Sequence, residues 1–167
     1  MIQSKLYYTV GMPRCGKSTF CDKFASEQPN RVIVCSDNIR KALSGQRYQP
    51  LAETMVFAIK HIMIRSHLER GATVIVDGTH STEISIQRLL EIDNNAVAII
   101  FDTPAEECIK RAINTNQEDL IPVIKRIEKN LLKLGWVSGQ HDQSNAHQSL
   151  IKILDKVKER NLYGGKN

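Results

Sequence analysis

The 167-residue sequence predicts a three-layer α/β fold built on a parallel sheet of about four strands. Four short apolar, β-branched runs are each followed by a helical pattern, and continuous apolar strands alternating with helices are the signature of a parallel sheet covered on both faces. The turn after the first run reads Gly11-Met12-Pro13-Arg14-Cys15-Gly16-Lys17-Ser18-Thr19, a complete G-x-x-x-x-G-K-S pattern in its proper strand–turn–helix context.

The first strand is Lys5–Val10 and the first helix Lys17–Ser26, with Phe20 and Phe24 on one face. The turn between them points to a nucleoside triphosphate. Gly11 and Gly16 let the backbone aim N–H groups at phosphate, Lys17 is a compact charge for the β- and γ-phosphates, and the Ser18 hydroxyl is a Mg²⁺ ligand. The helix N-terminus at Lys17 adds the positive end of its dipole.

Arg31–Cys35 is the second strand, followed by the helix-starting Ser36-Asp37-Asn38, which sets Asp37 at the carboxyl end of that strand. Gly45 to Pro50 is a loop. Leu51–Arg70 is a helix with Leu51, Met55, Ile59, Ile62 and Met63 at helical spacing, stopped by Gly71. Thr73–Asp77 is the third strand, and Asp77 at its end has the position of a Walker-B carboxylate for Mg²⁺, or of a cap on the next helix.

Ser81–Ile92 is predicted helical with Ile84, Leu89 and Leu90 for burial, and Ala96–Phe101 is the fourth strand. Helices at Pro104–Thr115 and Pro122–Leu134 begin on proline, as helix first turns favour, and are joined by polar Asn116–Asp119. Gly139–Ser149 reads as loop and Leu150–Leu162 as a basic amphipathic helix, so residues 1–167 form one expected domain.

Ligands of open parallel sheets gather at the carboxyl ends of the strands, which draws together the phosphate turn, Ser36–Arg40 and Asp77–His80. Asp37 and Arg40, three apart, share a helix face. Two readings of them stand side by side. One is a general base with a phosphate-gripping cation, the other a helix-terminal charge with a solvated arginine. His80 is a substrate-facing or a packed residue, and Cys15 an oxidisable thiol or a small filler.

The net charge is +5, and residues 120–167, with nine Lys/Arg against four Asp/Glu, carry all of the excess. A basic segment of this kind suits a polyanion or a solvated helix face. Four cysteines without C-x-x-C or zinc-type spacing fit reduced thiols, and no leader or membrane-length apolar run is present. The expectation is a soluble cytoplasmic protein with no membrane partner. His61, His67, His141 and His147 lack metal-ligand spacing, and Trp136 is a stacking platform or an anchor.

The phosphate turn, Ser36-Asp37-Asn38-Ile39-Arg40, Val74-Ile75-Val76-Asp77-Gly78-Thr79-His80, and Phe101-Asp102-Thr103-Pro104 with Arg111 together resemble phage-type polynucleotide 5′-hydroxyl kinase and related P-loop kinases over residues 5–131. The resemblance implies a P-loop kinase fold with a C-terminal helical lid at about 104–134, and ATP and Mg²⁺ as cofactors. It also implies a general base at Asp37, a grip on the acceptor's 3′-phosphate at Arg40, and a single-stranded or end-exposed nucleic acid as acceptor. Small-molecule kinases acting on nucleosides, nucleotides, sugars or antibiotics share the fold, and a nucleotide-binding module with little turnover is the remaining alternative.

Two departures bear on this. The family's second lid arginine is absent, since Ala112–Asn116 holds none and no Arg or Lys lies between Arg111 and Lys125. Such a loss costs ~10³-fold in rate, unless Arg14, Arg111, Lys125 or Arg126 serves instead. His80 stands where relatives have Asn.

Overall fold

The computed structural model describes residues 5–135. One sheet holds β1 (Lys5–Val10), β2 (Arg31–Cys35), β3 (Thr73–Asp77) and β4 (Val97–Ile100) in the order β2-β3-β1-β4. β3 is parallel to both neighbours, with Tyr8 opposite Val76 and Cys35 opposite Asp77. The helices are α1 (Lys17–Ser26), α2 (Ser36–Ser44), α3 (Glu53–Glu69), α4 (Glu83–Leu90), α5 (Ala105–Ile113) and α6 (Ile121–Lys133). The expected α/β class with a four-strand parallel sheet is therefore the observed one. Trp136, His141, His147, the 139–149 segment and the helix expected at 150–162 lie outside the described residues.

The chain divides into two compact units. The first runs through Thr9, Lys17–Gly78 and Asn95–Ile99, and the second is Val10–Gly16, Thr79–Asn94 and the chain from Ile100. In the first unit, the step from β1 to β2 and the step from β2 to β3 cross the sheet in opposite directions. Right-handed crossovers therefore set α1 and α3 on opposite faces, and both pack on β2 and β3. Leu6, Tyr8, Val34, Val74, Ile75 and Val76 are fully buried between these layers, as continuous apolar strands should be.

The buried stripe of α3 is Val56, Lys60 and Ile64 rather than the one its apolar spacing suggests. Leu51 is 92% exposed because it sits in a 3₁₀ turn at Pro50–Ala52, ahead of the helix, and Met55 and Ile62 also face solvent. α3 is apolar on more than one side, so composition left its inward face undetermined and packing against β2 and β3 chose it. Full burial of one such side chain, Ile64, contributes about 1.5–3 kcal/mol. α2 ends at Gly45, whose φ of 67° is left-handed and whose N–H donates to Lys41 O at 2.9 Å.

In the second unit, α4 starts at a capping box in which Thr82 and Ser85 exchange side-chain and backbone hydrogen bonds, so the helix begins later than Ser81. It buries Ile86, Leu89 and Leu90 and leaves Ile84 exposed. α5 and α6 form the helical pair expected after the last strand, packed together with Cys108, Ala112, Ile124, Ile127 and Leu131 buried. The linker between them is a 3₁₀ turn at Glu118–Leu120.

Candidate active site

The loop Gly11–Gly16 of the phosphate turn belongs to the second unit, and Lys17–Thr19, the first turn of α1, to the first. The loop backbone is tied from several directions. Gly11 N donates to Thr79 O at 3.1 Å, Thr103 Oγ1 to Cys15 O at 3.1 Å and Arg111 Nη1 to Arg14 O at 3.2 Å. Gly11 has no room for a side chain, since a Cβ there would lie 2.9 Å from Cys15 Sγ and 3.0 Å from Phe101 Cβ. Arg14 holds a left-handed φ of 67°, and so costs about 1–2 kcal/mol of strain relative to a right-handed residue.

Met12 and Cys15 are buried, and Pro13 and Gly16 half-buried. Cys15 is thus a packed thiol, its sulfur against the Gly11 backbone. His80, also left-handed at φ 37°, is buried rather than displayed on the surface.

In the first unit, Lys17 is buried while Ser18 and Thr19 are exposed. The Ser18 hydroxyl donates to Asp77 Oδ2 at 2.7 Å, joining the start of α1 to the end of β3. Thr9, fully buried and unremarked in the sequence, clasps the chain just past Asp77: its hydroxyl donates to Gly78 O at 2.8 Å and accepts from Gly78 N at 3.1 Å. An isolated threonine in a strand carries no local sign of that role. Burial, reinforced by the nearby Asp77 carboxylate, pushes the Cys21 thiol up to about 12, and burial also raises Cys35. Both stay protonated at neutral pH.

β2 and β3 end in register at Cys35 and Asp77, so Asp37, at the start of α2, belongs to the same end of the sheet as Asp77. Arg40 Nη1 donates to Asp37 Oδ1 at 2.6 Å, while its Nε and Nη2 donate to the two oxygens of Glu53 at 2.7 and 2.9 Å. The Asp37 side chain is 71% exposed against 22% for Arg40. Hydrogen bonding and charge from Glu53, then charge and a hydrogen bond from Asp37, outweigh burial and hold the Arg40 guanidinium firmly protonated. Glu53 is held below the usual carboxylate range by Arg40, with Lys60 adding to it. The sequence shows Glu53 only as a helix-start carboxylate, because its partner lies 13 residues away.

Of the three cations expected in a lid, Arg111 reaches the phosphate loop. Arg111 is engaged by Glu107 Oε1 at 2.9 Å and by the Arg14 carbonyl, and Lys125 and Arg126 are exposed, on the side of α6 away from buried Ile124, Ile127 and Leu131.

A model of the AAA domain family matches residues 6–123, which takes in the phosphate turn, Asp37, Arg40, Asp77 and Arg111. The chain belongs to that family. The sequence is similar to an L-seryl-tRNA(Sec) kinase of Methanococcus maripaludis, 25% identical across 94% of this chain and 68% of the relative. A probable thymidylate kinase of Thermococcus gammatolerans is 23% identical across 75% of this chain and 74% of its own. Among solved structures, a chain of the Pnkp1/Rnl/Hen1 complex superposes with a TM-score of 0.61 at 30% identity over 66% of this chain. This AAA domain chain spans only 40% of that protein's length. Its fold and phosphate turn make it a chain of the P-loop kinase type. No described helix is long and apolar enough to cross a membrane.

Proposed function

We propose that this chain transfers the γ-phosphate of ATP to a hydroxyl, most specifically the 5′-hydroxyl end of a polynucleotide. The observation that carries the reading is the exposed Asp37 carboxylate, held by Arg40 at the same end of the sheet as the Ser18–Asp77 pair and in the same unit as Lys17. Likeness to a chain of the Pnkp1/Rnl/Hen1 complex, an RNA repair complex by name, supports the nucleic-acid acceptor.

In this reading, the Gly11–Thr19 turn binds the triphosphate, and Lys17 neutralises charge on the β- and γ-phosphates. Asp37 accepts the proton of the acceptor hydroxyl as that oxygen bonds to the γ-phosphorus and the bond to the departing ADP oxygen breaks. Arg40 orients an acceptor phosphate with the N–H groups it has left. The Ser18 hydroxyl and Asp77 carboxylate are hard oxygen donors 2.7 Å apart, a donor set that fits Mg²⁺. When bound, Mg²⁺ would supply charge neutralisation at the phosphates.

Transfer of labelled γ-phosphate from ATP to a panel of 5′-hydroxyl oligonucleotides, nucleosides, nucleotides and sugars tests the proposal. Transfer to oligonucleotides is the expected result. Likeness to a thymidylate kinase favours a small-molecule acceptor as the second reading, and transfer confined to metabolites would establish it. Tight ATP binding without transfer to any acceptor would mark a nucleotide-binding module, the outcome that the gap between Arg111 and Lys125 favours.

A further inference from the structure

Glu53 lies at the first residue of α3, beyond the loop that follows α2, yet both its oxygens are committed to Arg40. A planar guanidinium has five N–H donors. Here Nε and Nη2 go to Glu53 and Nη1 to Asp37, so three are spent on two carboxylates from two different helices. The Glu53 side chain is 30% exposed and Lys60, buried on α3, adds favourable charge to it, so the pair is shielded more than a surface bridge.

This geometry does something that a lone Asp37–Arg40 pair would not. A bidentate carboxylate fixes the plane of the guanidinium as well as its position, because both parallel N–H···O bonds break if the plane rotates. With the plane fixed, the Nη1 bond presents Asp37 in one orientation, and the two unspent N–H donors have fixed directions. Glu53 also shares the positive charge, leaving the three-residue cluster with a net charge of −1. Without it, Asp37 and Arg40 would form a closed neutral pair.

We propose that Glu53 is a positioning residue for the acceptor side of the reaction, holding the Arg40 guanidinium so that it presents both Asp37 and two free N–H donors to a phosphate-bearing acceptor. The inference rests on the phosphotransfer reading above for its chemistry, and on the Glu53–Arg40–Asp37 geometry for its structure.

The test uses Glu53→Gln, which keeps the shape and removes the charge, and Glu53→Asp, which keeps the charge and shortens the reach. Transfer from ATP to thymidine 3′-monophosphate and to thymidine is measured for each. In Glu53→Gln, kcat/KM for the phosphate-bearing acceptor should fall about 10-fold or more, the preference over thymidine should shrink by a similar factor, and KM for ATP should stay within about twofold. Glu53→Asp should recover part of the loss. Combining Glu53→Gln with Arg40→Lys should do no more harm than the worse single change, since both act on one cluster. An unchanged acceptor preference, or losses that multiply in the double variant, overturns the proposal.

The Arg40 Nε–H resonance reads the clamp without any acceptor. It should be slowly exchanging in the parent and lose that protection in Glu53→Gln. Retained protection in the variant overturns the clamp even if the parent is an active kinase. A parent with the protected signal, lost in the variant, but no transfer to any acceptor upholds the clamp and overturns the phosphotransfer reading instead.

Discussion

The Ser18 hydroxyl donates a 2.7 Å hydrogen bond to Asp77 Oδ2, joining residues 59 positions apart. One comes from the first turn of α1 and the other from the last position of β3. The strand end and helix start meet because β1 and β3 are parallel neighbours, so that everything leaving their carboxyl ends emerges on one side. The same logic brings Asp37 from β2 to that side.

Lys17 is buried at the start of α1, where the proposed function makes it the counter-charge of the triphosphate. Lys17→Ala should abolish transfer and weaken ATP binding ~10²-fold or more, because charge-assisted contacts to phosphate are the strong ones. Titration calorimetry with ATP checks it, and parent-like affinity would remove the phosphate-turn assignment.

Asp37→Asn keeps the size of the side chain and removes its ability to accept a proton. Turnover should drop by ~10²-fold or more with KM for ATP nearly unchanged. Steady-state kinetics with saturating acceptor decides this. A change within a fewfold of the parent would leave Asp37 a helix-terminal charge only.

Gly11→Ala should destabilise the protein by about 1–3 kcal/mol, since the new methyl would meet Cys15 Sγ at 2.9 Å and Phe101 Cβ at 3.0 Å. Thermal unfolding with and without ATP reads both the loss of stability and the displaced loop. Gly16→Ala differs in mechanism, because nothing lies within 4 Å of its added Cβ and only the φ of 105° resists it.

Acid should dissolve the Glu53–Arg40 pair. Arg40 holds Glu53 below its ordinary value, so the pair's contribution is complete above the unfolded carboxylate's pKa of about 4.3 and is lost as pH falls through the lower folded value. Denaturant unfolding should therefore find Glu53→Gln less stable than the parent at pH 7, with the gap closing below about pH 4. A gap of equal size at neutral pH and at pH 3 would contradict the ion pair.

Removing the charges of Lys125, Arg126 and Lys129 tests the nucleic-acid acceptor from the outside of α6, where all three are exposed. If they meet phosphates, the triple variant should raise KM for an oligonucleotide and flatten its dependence on salt, without changing ATP binding. Identical salt slopes for parent and variant would make these cations a solvated face and advance the small-molecule reading.

The four-strand parallel sheet, the phosphate turn and a carboxylate at the end of β3 were legible in the sequence because each is written in a short window: apolar runs, a spaced Gly-Lys-Ser motif, an acid after three apolar residues. Local signals of this kind need no knowledge of neighbours. Only the tertiary structure decided that α3 buries Val56, Lys60 and Ile64, that Thr9 clasps Gly78, that Arg111 reaches the Arg14 carbonyl 97 residues away, and that Glu53 clamps Arg40. Each of those contacts joins groups that the chain holds apart. Side chains find partners by packing and charge once the backbone has brought them together, and a helix with several apolar sides shows which one is inward only when it meets a sheet.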